Sequence, residues 1–318
     1  MTTSDFFSLS TNDAGLRRPI LTEGAVIERL SRRPDIVLDP ALLNAPLVYE
    51  SKGRNHMADI VNGYIDIGRR SGLGILVASP TWRTSRDRVA GSDYRDRPLN
   101  RDGVGFVLEL CSEAGPYASS IRIGGLMGPR GDAYRPEEAL AEDEAALFHQ
   151  WQADELAAGG AQFLWAATLP ALSEALGLAT ALSATGLPYI ISFVIRPDGN
   201  LLDGTSLPDA MASIDDRTAT PPDGYMINCV HPQNLALALN GIPGDRVKRL
   251  WGLQGNASTK CPEDLDGSEE TDADDPTSWA DGMAGLYKNH GLWVLGGCCG
   301  TDERHIGSLA DCIGPAGS

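Results

Sequence analysis

Basic residues are scarce in this chain. Its 318 residues hold 26 lysines and arginines against 43 aspartates and glutamates, a formal net charge of −17 at pH 7. Nucleic acids and anionic membranes reward dense positive charge, so neither is expected as a partner. The surplus of acid reads as a solubilising surface. No window approaches the roughly 20 consecutive apolar residues that a spanning helix requires. The opening stretch, MTTSDFFSLSTNDAGLRRP, has no basic segment followed by an apolar one, so no secretory leader is expected. The chain is therefore expected to be soluble and cytoplasmic. Also missing are a repeat of solenoid period, the HExxH spacing of a zinc-protease helix, and the lysine of a phosphate loop after GGLMGPRGDAY.

What is present is a set of eight short apolar runs, each bounded by turn residues. They span residues 19–24, 72–79, 118–128, 161–168, 187–195, 225–230, 247–256 and 292–297. Most are apolar nearly throughout rather than alternating, the pattern of parallel strands covered on both faces. Segments with helical spacing lie between them. Residues 136–160 open on Pro136 and stop at Gly159 and Gly160; residues 170–186 open on Pro170 and stop at Gly186. Eight strands alternating with helices over this length predict an α/β fold, a single-domain (β/α)8 TIM barrel. A doubly wound open sheet is the runner-up. Residues 1–18 are expected to form a polar N-terminal arm and residues 19–318 the barrel domain. Residues 261–282 have many acids and no lysine or arginine. They are expected to form an acidic rim loop, with a lid as the sharper alternative.

The six cysteines carry the strongest chemical signal. In a reducing compartment they are better read as thiols or ligands than as bridges. Two of them, Cys298 and Cys299, are adjacent, a poor start for a structural disulfide because partners need separate backbones converging at about 5.5 Å. Cys229 closes the sixth run, and Cys298 and Cys299 follow the eighth. On a barrel all three reach the C-terminal rim, where such folds carry their chemistry. Three thiolates suit Zn2+, which takes sulfur ligands without redox change and prefers four; an open fourth position marks a catalytic ion. Gly296 and Gly297 are expected to let the chain turn so that both neighbours face one ion. Cys111 and Cys312 fall in helix-like segments and read as small hydrophobes, while Cys261 belongs to no motif. His231 is a rival ligand on the strand of Cys229, or simply follows that strand. His305 reads as support or plain structure.

Together these motifs resemble the homocysteine S-methyltransferase family. GGCCGTDERHI is similar to that family's C-terminal signature, GGCCGT followed by a short link and HI. Thr22-Glu23-Gly24-Ala25 lies where the family carries Asp-Gly-Gly or Asp-Gly-Ala. Residues 128–134, GPRGDAY, resemble its glycine element, Asn228-Cys229 its upstream Asn-Cys, and Gly255-Asn256-Ala257-Ser258 its seventh-strand turn. The resemblance spans residues 19 to 313. It implies a zinc-dependent methyltransferase in which Cys229, Cys298 and Cys299 hold the metal, homocysteine is the thiol acceptor, and a small sulfonium or ammonium compound is the methyl donor. It further implies Glu23 as a catalytic and substrate-binding acid, with Gly24, Thr168, Asn228 and Asn256 as further substrate contacts; Thr81 and Trp82, in the unusual rim stretch Ala78–Thr84 after the second strand, are further candidate contacts by position. Trp82 either flanks a cationic donor through its ring face or is a rim aromatic packing on the next loop. This sequence departs from the family in two places. Glu23 stands for an aspartate, and Ala166-Ala167-Thr168-Leu169-Pro170 stands for Phe-Glu-Thr-Ile-Pro, so the acid expected to meet the homocysteine amine is Ala167. That departure motivates a second reading, the same chemistry with another acceptor thiol or the demethylation of an unusual onium compound. A zinc-binding barrel without catalysis is a third. Helices on the barrel exterior leave a homo-oligomer open.

Overall fold

The structure, a computed structural model, describes residues 7, 17–260 and 274–315. Eight strands form a closed barrel in sequence order: β1 (Ile20–Thr22), β2 (Gly74–Ala78), β3 (Ile121–Met127), β4 (Phe163–Leu169), β5 (Tyr189–Phe193), β6 (Gly224–Val230), β7 (Leu250–Gly255) and β8 (Val294–Gly297). Every neighbouring pair is parallel, and β8 closes on β1 through Ile20 opposite Val294. Parallel strands need long crossovers, and helices supply them. These are α1 (Ile27–Ser31), α2 (Ser51–Ser71), α3 (Arg86–Ala90), α4 (Leu99–Ser112), α5 (Glu142–Ala158), α6 (Leu172–Ala184), α7 (Leu207–Arg217), α8 (Pro232–Asn240), α9 (Pro276–His290) and α10 (Glu303–Ile313). All eight apolar runs became strands, and the chain forms the expected (β/α)8 barrel. Among the described residues no helix is long and apolar enough to cross a membrane.

Two expected helix and loop boundaries move for local reasons. The segment from Pro136 does not start a single helix: Pro136–Glu138 make one 3-10 turn and α5 begins at Glu142. Glu138 is held back because its carboxylate accepts the Asp132 amide at 2.9 Å. The acids Glu142, Asp143 and Glu144 then occupy the first turn of α5, where the positive end of the helix dipole favours them. The acidic segment expected as loop through residue 282 ends sooner, because Asp275 caps the Thr277 and Ser278 amides and Pro276 opens α9. Residues 261–273, including Cys261 and the loop or lid reading, lie outside the described residues.

The barrel's interior is filled by large rings seated on glycines. A Cβ on Gly124 would come within 2.6 Å of Phe163, and one on Gly224 would collide with the Trp251 ring. Phe7, inside the segment expected as a polar arm, is buried and packs edge-on against Phe163 at 5.2 Å and Trp251 at 5.1 Å.

Candidate active site

Three sulfur atoms meet at the C-terminal rim. Cys229 Sγ lies 2.9 Å from Cys298 Sγ, Cys298 Sγ lies 4.0 Å from Cys299 Sγ, and all three fall within 4.8 Å of one another. Cys229 is buried, Cys298 half-buried and Cys299 exposed.

Strand irregularities put them there. Cys229 has φ +58, rare for a residue with a Cβ, and the pairing of β6 with β7 shifts register between Asn228 and Val230. That bulge re-aims one residue at the end of the strand. Asn256 secures it: Asn256 Nδ2 donates to the Cys229 carbonyl at 3.0 Å, and Asn256 Oδ1 accepts the Cys299 amide at 3.2 Å, so one side chain ties both cysteine segments together. The Cys298 amide donates to Gly255 O at 2.8 Å, the Gly300 amide to Glu28 Oε2 at 2.6 Å, and Thr301 Oγ1 to the Cys298 carbonyl at 2.7 Å.

Gly296 and Gly297 act differently from the expected turn. Both belong to β8, and the positive-φ residue is Gly300 at +79. What they provide is close approach. A Cβ on Gly296 would collide with the Thr22 hydroxyl and sit 2.7 Å from the Thr22 carbonyl oxygen; one on Gly297 would collide with the Thr301 hydroxyl.

Beneath the cysteines a belt of polar side chains crosses the barrel mouth. Trp82 Nε1 donates to Thr168 Oγ1 at 3.1 Å, the Thr168 amide to Asn228 Oδ1 at 3.1 Å, Asn228 Nδ2 to Gln254 Oε1 at 2.6 Å, and Gln254 Nε2 to Thr22 Oγ1 at 3.1 Å. Thr168 has φ +61 beside a register shift between Ala166 and Leu169, matching the strain at Cys229. Gln254 belongs to no motif, and Thr22, quoted in the first-strand element, is given no role by the sequence.

The other expected contacts are placed as follows. Asn228 and Asn256 are buried and occupied by the bonds above. Thr81 is fully buried, with its hydroxyl donating to Leu126 O at 2.7 Å, so its side chain belongs to the scaffold of the second-strand loop. Gly24 lies where a Cβ would be 2.7 Å from the Tyr64 hydroxyl. Ala167 is buried in β4. Glu23 is buried at the end of β1, where Oε2 accepts the Ala78 amide at 2.9 Å and Oε1 has no partner among the described residues. Burial, opposed only in part by that amide, raises its carboxyl to about 8. His231 caps α8 and bonds Asp274 at 3.1 Å; His305 forms a capping box with Asp302. His231 thus has both ring nitrogens engaged, whereas His305 Nε2 is buried with no partner among the described residues. Cys111 and Cys312 lie in α4 and α10 as expected. Tyr134, quoted in GPRGDAY but given no role, lies beside the three cysteines. Burial and the three sulfurs push its phenol well above the ordinary range.

The sulfur set fits a soft divalent cation. Hydrogen bonds from Cys229 and Cys298 hold the Cys299 thiol well below its ordinary value, while those two are pushed up. In a tetrahedral zinc site with Zn–S of about 2.3 Å, sulfurs sit about 3.8 Å apart. The observed separations bracket that value.

A parallel (β/α)8 barrel with a three-thiol cluster able to hold a metal ion has those ligand atoms at the C-terminal rim, the face on which barrels of this class carry their chemistry. Residues 20–313 match the homocysteine S-methyltransferase family. This chain belongs to that family of enzymes. It is 28% identical over 244 residues to homocysteine S-methyltransferase of Escherichia coli strain K12, covering 67% of this chain and 72% of that protein. It is 24% identical over 202 residues to homocysteine S-methyltransferase YbgG of Bacillus subtilis strain 168, covering 63% of this chain but only 60% of that relative's length. The oxidized form of the homocysteine methyltransferase MmuM from Escherichia coli superposes with a TM-score of 0.74 at 23% identity, covering 92% of this chain and 94% of that one. The metallated form gives 0.71 at 20% identity, over 92% and 96%. Both structural likenesses concern the fold.

Proposed function

We propose that this protein transfers a methyl group from a small sulfonium or ammonium donor to the sulfur of homocysteine, giving methionine, at a Zn2+ held by Cys229, Cys298 and Cys299. The convergence of these three sulfurs within 4.8 Å carries the reading. A bound zinc would supply the charge that keeps the acceptor sulfur a thiolate at neutral pH. The new S–CH3 bond forms as the donor's S–CH3 or N–CH3 bond breaks, the onium centre takes the electron pair and becomes neutral, and the thiol proton leaves to solvent. No general base is needed for that displacement. The chain's own work is to place donor and acceptor in line and exclude water. Asn256 and the bulge at Cys229 fix the sulfurs, Trp82, whose ring also meets the Arg83 guanidinium at 5.1 Å, would offer its remaining face to a cationic donor, and Glu23, whose Oε1 has no partner among the described residues, would answer an ammonium.

Ala167 favours a second reading, the same transfer to a thiol without an ammonium at that place, since a buried ammonium lacking its carboxylate costs a few kcal/mol. The deciding experiment incubates zinc-loaded protein with S-methylmethionine, S-adenosylmethionine or glycine betaine against homocysteine and two or three other thiols, following loss of thiol. Turnover with homocysteine supports the first reading; turnover only with another thiol supports the second. For the metal, Cys229→Ala and Cys298→Ala should each lower zinc affinity by more than the roughly 10- to 100-fold typical of losing a supporting group. Full zinc content in both would overturn the site.

A further inference from the structure

Behind the rim lies a buried acid–imidazole pair that the methyl transfer does not use. Glu174, in the first turn of α6, is 0% exposed, and His149, on α5, is 1% exposed. Glu174 Oε1 accepts two bonds, from the Arg130 amide at 2.7 Å and, paired with His149 Nε2, at 2.9 Å. Burying such a group is costly unless its bonds do something. The Arg130 amide belongs to the loop after β3, residues 128–135, which carries Tyr134 to the cysteines.

Nearly every peptide at the start of that loop is held by a side chain. Arg83 Nη1 donates to Pro129 O at 3.0 Å and to Gly131 O at 2.7 Å, and Arg88 Nη2 to Arg130 O at 3.4 Å. Glu138 Oε2 accepts the Asp132 amide at 2.9 Å, and Asp132 Oδ1 accepts the Tyr134 amide at 2.8 Å. Of these anchors only Glu174 reaches in from the buried helix layer. The same helix face secures the neighbouring rim loop as well. Gln152, three residues after His149 and so on the same side of α5, donates to Thr81 O at 2.8 Å and Thr84 Oγ1 at 3.0 Å. That second loop carries Trp82 and Arg83, and Arg83 returns to the first.

We propose that the Glu174–His149 pair is a positioning device for the rim loop 128–135: His149 orients the Glu174 carboxylate, Glu174 fixes the Arg130 amide, and the loop so fixed keeps Tyr134 beside the cysteine cluster. Glu174 and His149 are positioning residues, remote from the reacting atoms. Tyr134 is the group through which they act.

The test measures the alkylation rate of Cys229 in the full-length, metal-free protein by iodoacetamide, resolved by mass spectrometry, well below the melting temperature of each variant. A buried thiol reacts through its open population, so the rate reports how firmly the rim loop that brings Tyr134 beside it is held. Glu174→Leu should raise the Cys229 rate about tenfold or more, and Tyr134→Ala should do the same. The double variant should react no faster than either single one, because coupled residues are non-additive. Since Oε1 alone receives both bonds, Glu174→Gln keeps the acceptor and should leave the Cys229 rate within about twofold of the parent. Should Glu174→Leu fail to fold, His149→Leu gives the same comparison with Tyr134→Ala. A lowered melting temperature with an unchanged Cys229 rate, or rate effects that multiply in the double variant, would overturn the proposal. Because the readout needs neither metal nor substrate, its failure is distinct from failure of the methyl-transfer reading.

Discussion

Glu23 shows most directly how a single side chain depends on the fold around it. In the unfolded chain its carboxyl titrates near 4.5, whereas burial at the end of β1 raises it to about 8. A raised carboxyl favours the neutral form when folded. Its contribution to stability is fully present below the unfolded value and is lost as pH climbs toward about 8, at up to about 1.4 kcal/mol per pH unit. Glu23→Gln removes this dependence. In urea unfolding of the ligand-free protein, the variant should therefore gain on the parent between pH 5 and pH 8, and equal pH slopes for the two would refute the assignment. An ammonium-bearing acceptor that meets Glu23 would reverse the shift and restore stability at the upper end. Ala167, by contrast, was legible through the family resemblance as a missing charge; what no local pattern told was that Glu23 Oε1 has no partner among the described residues.

At the scale of the element, glycine has opposite meanings in two places. On β8, Gly296 passes Thr22 with no room for a methyl group, because the obstruction includes the Thr22 backbone as well as its hydroxyl. Gly285, on α9, has its nearest obstacle 4.0 Å away at Asn289. Gly296→Ala should destabilise by about 1–3 kcal/mol, as overpacking does, and Gly285→Ala should stabilise by about 0.5–1 kcal/mol through helix propensity and the unfolded state. Thermal melts of the two variants decide it. The same sign for both would show that approach distance is not what keeps Gly296. The sequence suggested the presence of a device at Gly296-Gly297 but assigned it to a turn. Close packing between β8 and β1 joins residues about 270 apart in the chain, which no local reading can anticipate.

For the whole molecule, closure of the barrel creates both an occupied floor and a reactive rim. Phe7 seals the floor between Phe163 and Trp251. Phe7→Ala should cost about 3–5 kcal/mol, as for a buried aromatic, and lower the melting temperature while leaving the cysteine cluster at the opposite end intact. Unchanged stability would place that ring outside the core. Around the rim, the belt from Trp82 through Thr168, Asn228 and Gln254 to Thr22 draws on five strands or their loops, so the strain at Thr168 and Cys229 is supported by the closed barrel as a unit.

The sequence by itself determined the alternation of parallel strands with helices and the donor atoms. Eight continuous apolar runs can be buried on two faces only as parallel strands under helices, and the spacing of Cys229 from Cys298 and Cys299 puts sulfur at the ends of β6 and β8. Tertiary structure decided the direction of each side chain and the partner it meets. Asn228, Asn256 and Thr81 stand at the rim where the sequence puts them, yet their polar groups turn to the scaffold because backbone carbonyls and amides from other strands lie within bonding distance. Position along a strand is a local property, fixed by a two-residue period. Hydrogen-bond partners and close approaches are set by segments distant in the chain, and they exist only once the barrel has closed.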